Sequence, residues 1–236
     1  MATSGTTTFD LDLNEYVEEA FERCGAELRT GYDLKTARRS MNLLFADWAN
    51  RGINLWTVEQ GTINLTQGTA TYNLPNDTVD LIEHVIRTGA GNVSTQVDLT
   101  ITRISVSTYS SIPNKLQQAR PIQVWVNRQA PTPTITVWPV PDQSNNYQFV
   151  YWRLRRIQDA GTGGTYTQDV PFRFIPCLVA GVAYYLSMKI PGAMDRMQVL
   201  KAQYGRSQGH HYQGRTVSGC VESDWATKKY FLFKSA

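Results

Sequence analysis

The sequence has few of the residues that usually carry catalytic or metal chemistry. Its 236 residues include only three cysteines and three histidines. Cys24, Cys177 and Cys220 are far apart and form no CxxC pair, so the sequence predicts neither a zinc site nor a disulfide framework. Cys24 and Cys177 stand among apolar residues at helical spacing, which favours small core residues. Few and widely separated cysteines are typical of a protein synthesised in a reducing cytosol.

Motifs of the common catalytic and phosphate-binding sites are also lacking. The glycine-rich stretch 161–164 has neither the lysine nor the following helix of a phosphate-binding loop, and the chain has no G-x-S-x-G or HExxH motif. His84 lies in the alternating segment 79–87, where a hydrogen-bonded strand histidine is expected rather than a catalytic one. His210 and His211 are adjacent and give only a weak metal signal. The sequence predicts no enzyme, no cofactor and no metal.

No apolar run is long enough to cross a membrane. The most apolar stretch, VPFRFIPCLVAGVAYYLSMKIPG at 170–192, is uncharged from Phe174 to Met188. That is short of the roughly 20 residues that a spanning helix needs. The first twelve residues also lack the charged and apolar regions of a signal peptide. We therefore expect no membrane anchor, and a buried or interfacial helix over 171–189.

Charge of one sign is not in large excess. The net charge of +3 is too weak to indicate general nucleic-acid binding. Residues 1–30 carry seven acids against two arginines, whereas residues 201–236 carry six basic residues against two acids. This asymmetry indicates either two surfaces with different partners or ordinary solvated faces, and the sequence leaves both open.

Helical periodicity occurs at both ends of the chain. Apolar residues spaced by three and four predict a helix over 12–29, begun by a capping box of Asp12 and Glu15. A second helix is predicted from Asp33, as its N-cap, to residue 50, so that the two form an antiparallel pair. Near the C-terminal end, a helix is predicted to start near Asp195, and its pattern is lost after residue 205.

Between the helices, residues 53–157 alternate with a period of two. They predict six or seven strands in a mostly antiparallel sheet or small sandwich, with a hairpin turn at 67–68 and a short helical turn before Pro113. Arg153, Arg155 and Arg156 predict a positive sheet edge. The fold class is thus α+β: N- and C-terminal helices form a helical bundle, with a β-sheet or sandwich insertion and an extended C-terminal tail.

Three regions follow from this layout. We expect a helical domain of residues 10–52 plus 170–213, a β-rich insertion domain of residues 53–160, and a docking tail of residues 214–236. The tail is too polar for a core of its own, yet it ends in aromatic residues that seek burial. Such residues order either on a partner protein or back on their own domain, and the sequence leaves both open.

Two further sets of side chains have a structural and a functional interpretation. Glu15 and Glu19 share a helix face like a glycosidase pair, but without an apolar wall to raise a pKa they favour a solvated face. Aromatic residues of the β region predict cross-strand core pairs, although an exposed sugar-binding platform would use the same residues. These are Trp56, Tyr72, Trp125, Trp138, Tyr147, Phe149, Tyr151 and Trp152.

The order of these segments resembles a known family. A helical pair ends in FADWANRGINLWTVEQGTINLTQGTATYNLP (45–75), a β insertion carries VNRQ and TITVWPVPD, and VPFRFIPCLVAGVAYYLSMKIPG leads into a last helix. This organisation, over roughly residues 10–215, resembles the head-to-tail adaptor (tail tubular protein A-like) proteins of short-tailed bacteriophages. The quoted stretches are patterns of packing residues and include no catalytic signature.

The resemblance implies a structural virion protein at the head-to-tail junction, made in the host cytoplasm. Its expected partners are the portal protein, the tail nozzle protein and further copies of itself in a ring, which the resemblance implies is a dodecamer. Double-stranded DNA is expected to pass through the ring without specific binding. The implied portal-docking residues of the tail are Trp225, Lys228, Lys229, Tyr230, Phe231 and Phe233.

Two more sets of positions follow from the ring that the resemblance implies. The apolar helix carries more buried-type residues than one face needs, so Phe174, Tyr184, Tyr185 and Met188 are expected at the subunit interface. The acids Glu15, Glu18, Glu19 and Glu22 of the first helix are expected to face the DNA channel, where negative walls prevent DNA from sticking.

The rival functions are a carbohydrate-binding module of a phage tail and a virion-associated cell-wall hydrolase.

Overall fold

The structure is a computed structural model that describes residues 3–28, 31–162 and 165–212, with side chains up to residue 207. Helices at the two ends of the chain enclose one hydrophobic core, and the β-rich segment between them encloses another. The α+β fold class predicted from the sequence is confirmed. Among the described residues, no helix is both long enough and apolar enough to cross a membrane.

The first two helices are α1 (Leu13–Cys24) and α2 (Gly31–Asn50). The predicted capping box is present: the Asp12 carboxylate accepts from the Glu15 N–H at 2.9 Å, and the Glu15 carboxylate accepts from the Asp12 N–H at 2.8 Å. Two predicted boundaries are wrong. Helix α1 ends at Cys24 rather than near residue 29, and α2 begins at Gly31 rather than after Asp33.

The early end of α1 has a backbone cause. Gly25 adopts a left-handed conformation with φ 75°, and its N–H bonds back to the Glu22 carbonyl, which closes the helix. The Arg196 guanidinium lies directly over Gly25, so close that a Cβ there would be 2.7 Å from its nearest nitrogen. The left-handed conformation therefore favours glycine at this position, whereas the guanidinium is the end of a flexible, exposed side chain that can move aside.

The C-terminal helices follow a short 3-10 turn, Phe172–Phe174. They are α4 (Ile175–Ser187) and α5 (Met194–Tyr212). Helix α4 is the centre of the bundle and packs against α1, α2 and α5, whereas α1 and α2 contact each other little. The prediction that the last helical pattern is lost after residue 205 is wrong, because α5 continues to Tyr212.

Eight strands and one short helix form the β-rich segment. In chain order they are β1 (Val58–Asn64), β2 (Thr71–Asn73), β3 (Thr78–Thr88), β4 (Val97–Thr100), β5 (Thr102–Ile104), α3 (Val106–Ser110), β6 (Gln123–Asn127), β7 (Thr134–Trp138) and β8 (Tyr147–Arg155). One sheet has the order β1-β8-β3-β4 and the other β2-β7-β6-β5. All pairs are antiparallel except β5 with β6.

The two sheets enclose the second core between them. Its fully buried members come from both sheets and include Ile86 and Phe149 from one and Val124 and Ile135 from the other. The hairpin predicted at 67–68 is wrong: the chain does turn at Gly68, which has φ 76°, but β1 pairs with β8 and β2 pairs with β7. The turn therefore carries the chain from one sheet to the other.

Candidate functional site

The apolar helix α4 is buried by its own chain. Ten of its residues are buried among α1, α2 and α5, on all sides of the helix. Gly181 lies in close contact with Leu44 of α2 and Tyr204 of α5, where an added Cβ would be 2.6 Å from the Leu44 side chain. The bundle itself therefore buries most of the apolar residues of α4, and the expected subunit interface on this helix stays a prediction.

The four expected interface residues have different surroundings. Phe174 is buried between two tryptophans, with ring centroids 6.0 Å from Trp48 and 4.7 Å from Trp56. Tyr184 and Tyr185 are half-buried beside the helical core, and Met188 is exposed. Only the last three leave surface for a neighbouring subunit, because Phe174 is enclosed by its own protomer.

The acids of α1 lie on the side of the helix away from α4. Glu15, Glu18 and Glu22, spaced by three and four, are exposed, and we call them the acidic face. Glu15 also closes the capping box. Glu19 is half-buried and accepts from Arg23 at 2.8 Å. No ion pair or hydrogen bond joins the side chain of Glu18 or Glu22 to any other residue of the described ranges.

A second charged surface lies on α2 and was missed by the sequence analysis. Tyr32, Lys35, Arg39 and Leu43, spaced by three and four, are exposed on the side of α2 away from its buried stripe. Lys189, just beyond α4, adjoins them and donates to the Ser40 hydroxyl at 2.7 Å. We call these five residues the basic face. Their spacing opposite the apolar stripe of α2 was a signal that could have revealed it.

The positive charges of this face are close together, and no ion pair with an acid of the described ranges compensates those of Lys35 and Arg39. Partial burial and the nearby Arg39 charge both lower the pKa of the Lys189 amine. Neither Lys35 nor Arg39 makes an ion pair with another residue among those described. Like charges held together in this way favour an external anionic partner.

The arginines of β8 do not form the positive edge that the sequence predicted. Arg153 and Arg155 are drawn into ion pairs with Glu59, Asp77 and Asp169, which we call the junction network. The side chain of Arg155 is 10% exposed and binds both oxygens of Asp169. The charges therefore neutralise one another where the chain passes between the two cores.

The junction network fastens the segments that connect the cores. Asp169 also accepts from the Gln158 N–H at 3.0 Å, and its carbonyl accepts from the Trp56 indole N–H at 2.8 Å. Burial acts to raise the pKa of the Asp169 carboxyl, but the bonds from Arg155 and Gln158 and the Arg155 charge outweigh it and hold that pKa low. This arrangement fixes the connections rather than offering a binding site.

Five of the eight aromatic residues named for the β region form two groups. Tyr147, Phe149 and Tyr151 are buried in the second core, as a structural role predicts. Trp125 stacks on Tyr109 of α3 at 5.4 Å between ring centroids, and Trp138 donates its indole N–H to a loop carbonyl, that of Asn114. Both tryptophans are half-buried beneath this segment, so they do not form an open sugar-binding platform.

His84 packs against an aromatic ring of the second core. His84 stacks on Phe149, and neither ring nitrogen has a partner within the described part of the chain, so the expected hydrogen-bonded histidine is corrected. Burial, and then the charge of Arg103, lower its pKa, which favours a neutral ring. Across the described ranges, no three His, Cys, Asp or Glu side chains are grouped to hold a metal ion.

One open groove of about 560 Å³ lies between α1, α4 and α5. It is lined by Arg23, Ala180, Gln203, Arg206 and Ser207. These residues supply two guanidinium groups but no carboxylate or imidazole, so they lack the pair of groups that general acid–base catalysis needs.

The two described cysteines are expected to be unreactive in the folded protein. Burial raises the pKa of Cys24 to about 11, against a smaller lowering by Arg196, and that of Cys177 to about 12, against a smaller lowering by Arg51. At pH 8 only about one Cys24 in a thousand would be a thiolate. With Cys220 replaced by serine, native protein should not react with a thiol reagent, whereas both thiols should react in denaturant. Rapid labelling of the native protein would contradict the burial.

The expected portal-docking residues, from Trp225 to Phe233, lie outside the described residues. The sequence model of one family, described as SU10 adaptor protein, matches residues 15–217. No curated protein matches. The family match supports the resemblance to a phage adaptor, and the narrower assignment to tail tubular protein A-like adaptors of short-tailed phages stays a prediction.

Proposed function

Because the chain belongs to the SU10 adaptor protein family, we propose that it forms a ring between the portal protein and the tail nozzle of a bacteriophage. The family is one of structural phage adaptors, and membership indicates a component of the virion. The proposal adds the ring, its two neighbours and the central passage for DNA. The single observation that carries it is the family match, which extends from α1 beyond α5.

The surface of the described protein supports an assembly role. Charged faces of opposite sign lie on α1 and α2, and large apolar side chains are exposed near both. A ring requires such unlike surfaces, because each subunit contacts one neighbour through one patch and the other neighbour through a different patch. We infer a dodecamer from the resemblance, with Tyr184, Tyr185 and Met188 available for contacts between subunits.

The rival functions have less support. A carbohydrate-binding module would need open aromatic rings, but Trp125 and Trp138 are covered by α3 and the loop that follows it. A cell-wall hydrolase would need a carboxylate with a raised pKa, yet Asp77, Asp80 and Asp169 all have lowered pKa values. Each of the three is held by arginine.

Light scattering of the full-length chain tests the proposal. The mass should be measured for the protein alone and after mixing with rings of the portal protein encoded by the same virus. A complex with a fixed number of chains per portal ring is expected. A chain that stays monomeric and does not join the portal would contradict the adaptor role.

The C-terminal tail supplies a sharper prediction about attachment. We propose that residues 214–236 dock on the portal, with Trp225, Lys228, Lys229, Tyr230, Phe231 and Phe233 as anchors. Replacing Phe231 and Phe233 by alanine should weaken portal binding by more than about 1 kcal/mol, as is typical for aromatic anchors. The fold should be unchanged, and titration of portal rings with labelled protein measures the effect.

A matched control distinguishes docking from a general surface effect. Leu116 and Val93 are exposed apolar residues of the β region, and their joint replacement by alanine should leave portal affinity unchanged. If the tail variant binds the portal as tightly as the native chain, the tail is not the docking element.

A further inference from the structure

The acidic face and the basic face both lie on the outer side of the helical bundle around α4. Helices α1 and α2 both bury their apolar stripes against the bundle around α4 and contact each other little. Their charged faces lie opposite those stripes. The two faces therefore look outward in different directions, and among the described residues no ion pair joins one to the other.

The charges on the two faces are complementary in number and spacing. Glu15, Glu18 and Glu22 extend along about two turns of α1, and Lys35 and Arg39 extend along one turn of α2, with Lys189 beside them. Helices with charges repeated at intervals of three and four can align side by side so that opposite charges meet. An acidic helix face alone would indicate nothing, but here the same chain carries its counterpart.

Apolar side chains adjoin both faces. Tyr32 is 76% exposed and Leu43 is 54% exposed on the basic face. Near the start of α1, Phe9 and Phe172 form an edge-to-face pair at 6.3 Å and are both largely exposed. Interfaces that persist combine such large apolar contacts with a charged rim, because the apolar contacts supply most of the affinity.

We propose that the acidic face of α1 docks against the basic face of α2 of the next copy of this chain around the ring. This inference rests on the proposed function and adds which surfaces close the ring. The contact is heterologous, since the two patches differ, and a heterologous contact repeats around a closed circle. The occupant of each face is thus a second copy.

This assignment differs from the expectation that the α1 acids line the DNA channel. Acids that line a channel need no basic counterpart on the same chain, and they leave the positive charges of Lys35 and Arg39 unexplained. Pairing of the two faces accounts for both sets of charges with one contact. In a ring with channel-lining acids, removing the acids would not weaken assembly, so the two assignments give different results.

Charge exchange between two variants tests the docking. The first variant carries Glu18→Lys and Glu22→Lys, and the second carries Lys35→Glu and Arg39→Glu. Glu15 and Glu19 are left intact because they cap α1 and pair with Arg23. Assembly of full-length chains is followed by mass photometry, alone and on portal rings, with differently sized tags on the two variants.

Each variant alone should need a concentration higher by a factor of about 100 for half-assembly, because like charges face each other at every contact. An equimolar mixture should restore rings that contain the two variants in equal numbers. In such rings, each basic α1 meets an acidic α2, and each acidic α1 meets a basic α2. A single chain carrying all four substitutions should also assemble, and salt should weaken the native assembly.

The controls separate the possible failures. Glu83→Lys with Lys201→Glu exchanges charges at exposed positions on other elements and should assemble like the native chain. If each of the two charge variants, on its own, forms rings as well as the native chain does, the inference is wrong. Channel-lining acids predict that result, and it would not contradict the ring. Failure of the mixture, with both variants folded, would also overturn it. A native chain that forms no ring either alone or on the portal would refute the proposed function instead.

Discussion

Replacing Arg155 by alanine is expected to lower the free energy of unfolding by about 3 kcal/mol. The Arg155 side chain is 90% covered and binds both oxygens of Asp169, whose own side chain is only 18% exposed. Without the guanidinium, the Asp169 charge stays buried with the Gln158 N–H as its remaining hydrogen-bond donor among the described residues. Glu59, the other partner, is more exposed and adds little. Urea denaturation monitored by tryptophan fluorescence measures the loss.

The neighbouring arginine is a matched control. Arg156 pairs with Asp159 at the surface, and both side chains are more than half exposed. Arg156→Ala should therefore change the free energy of unfolding by less than about 0.5 kcal/mol. Equal losses in the two variants would show that the junction network does not stabilise the fold.

The junction network also makes the free energy of unfolding depend on pH in the acid range. The folded-state pKa of Asp169 lies below its unfolded value, so its stabilising contribution is complete above the unfolded pKa of about 3.9 and is lost as the pH falls through the folded pKa. The stability difference between the native chain and Asp169→Asn should accordingly shrink as the pH is lowered below about 4. A difference that is independent of pH in this range would contradict the ionic role.

Trp48→Ala is expected to cost about 4 kcal/mol of unfolding free energy. The Trp48 side chain is fully buried in the helical core, contacts Phe45 and Phe174 at ring distances of 6.1 and 6.0 Å, and donates its indole N–H to the Tyr204 hydroxyl at 2.9 Å. The substitution removes the contacts between α2, the turn before α4, and α5. Thermal or urea denaturation followed by circular dichroism measures the effect.

Two control variants separate the contributions of the Trp48 ring and of its hydrogen bond to the free energy of unfolding. Trp48→Phe keeps most of the ring but loses the hydrogen bond to Tyr204, so it should cost about 1–2 kcal/mol. Leu43→Ala on the same helix truncates an exposed side chain and should cost less than about 0.5 kcal/mol. A Trp48→Ala variant as stable as the Leu43→Ala variant would mean that the helical core does not depend on this contact.

Local patterns were sufficient to predict most of the helices and strands. The capping box of Asp12 and Glu15 places the start of α1, because both hydrogen bonds form within one turn. The end of α1 was misplaced, since apolar residues continue beyond it while Gly25 closes the helix under the Arg196 side chain.

Strand pairing could not be predicted from local patterns. The segments before and after Gly68 alternate like the two arms of a hairpin, but each arm pairs with a strand more than sixty residues away along the chain. A turn fixes the direction of the chain, whereas the choice of partner depends on which faces can be buried together. The sandwich was therefore predictable in kind but not in topology.

By itself, the sequence determined the α+β class, the helical ends with a β-rich middle, the absence of familiar catalytic motifs and the resemblance to a phage adaptor. Each of these depends on residue types and spacings within short segments. Only the tertiary structure decided that α4 is enclosed by its own bundle, that Arg153 and Arg155 are neutralised by carboxylates, and that Lys35 and Arg39 form no ion pair with another described residue. Burial and charge pairing depend on which distant segments meet, and this is a property of the folded chain.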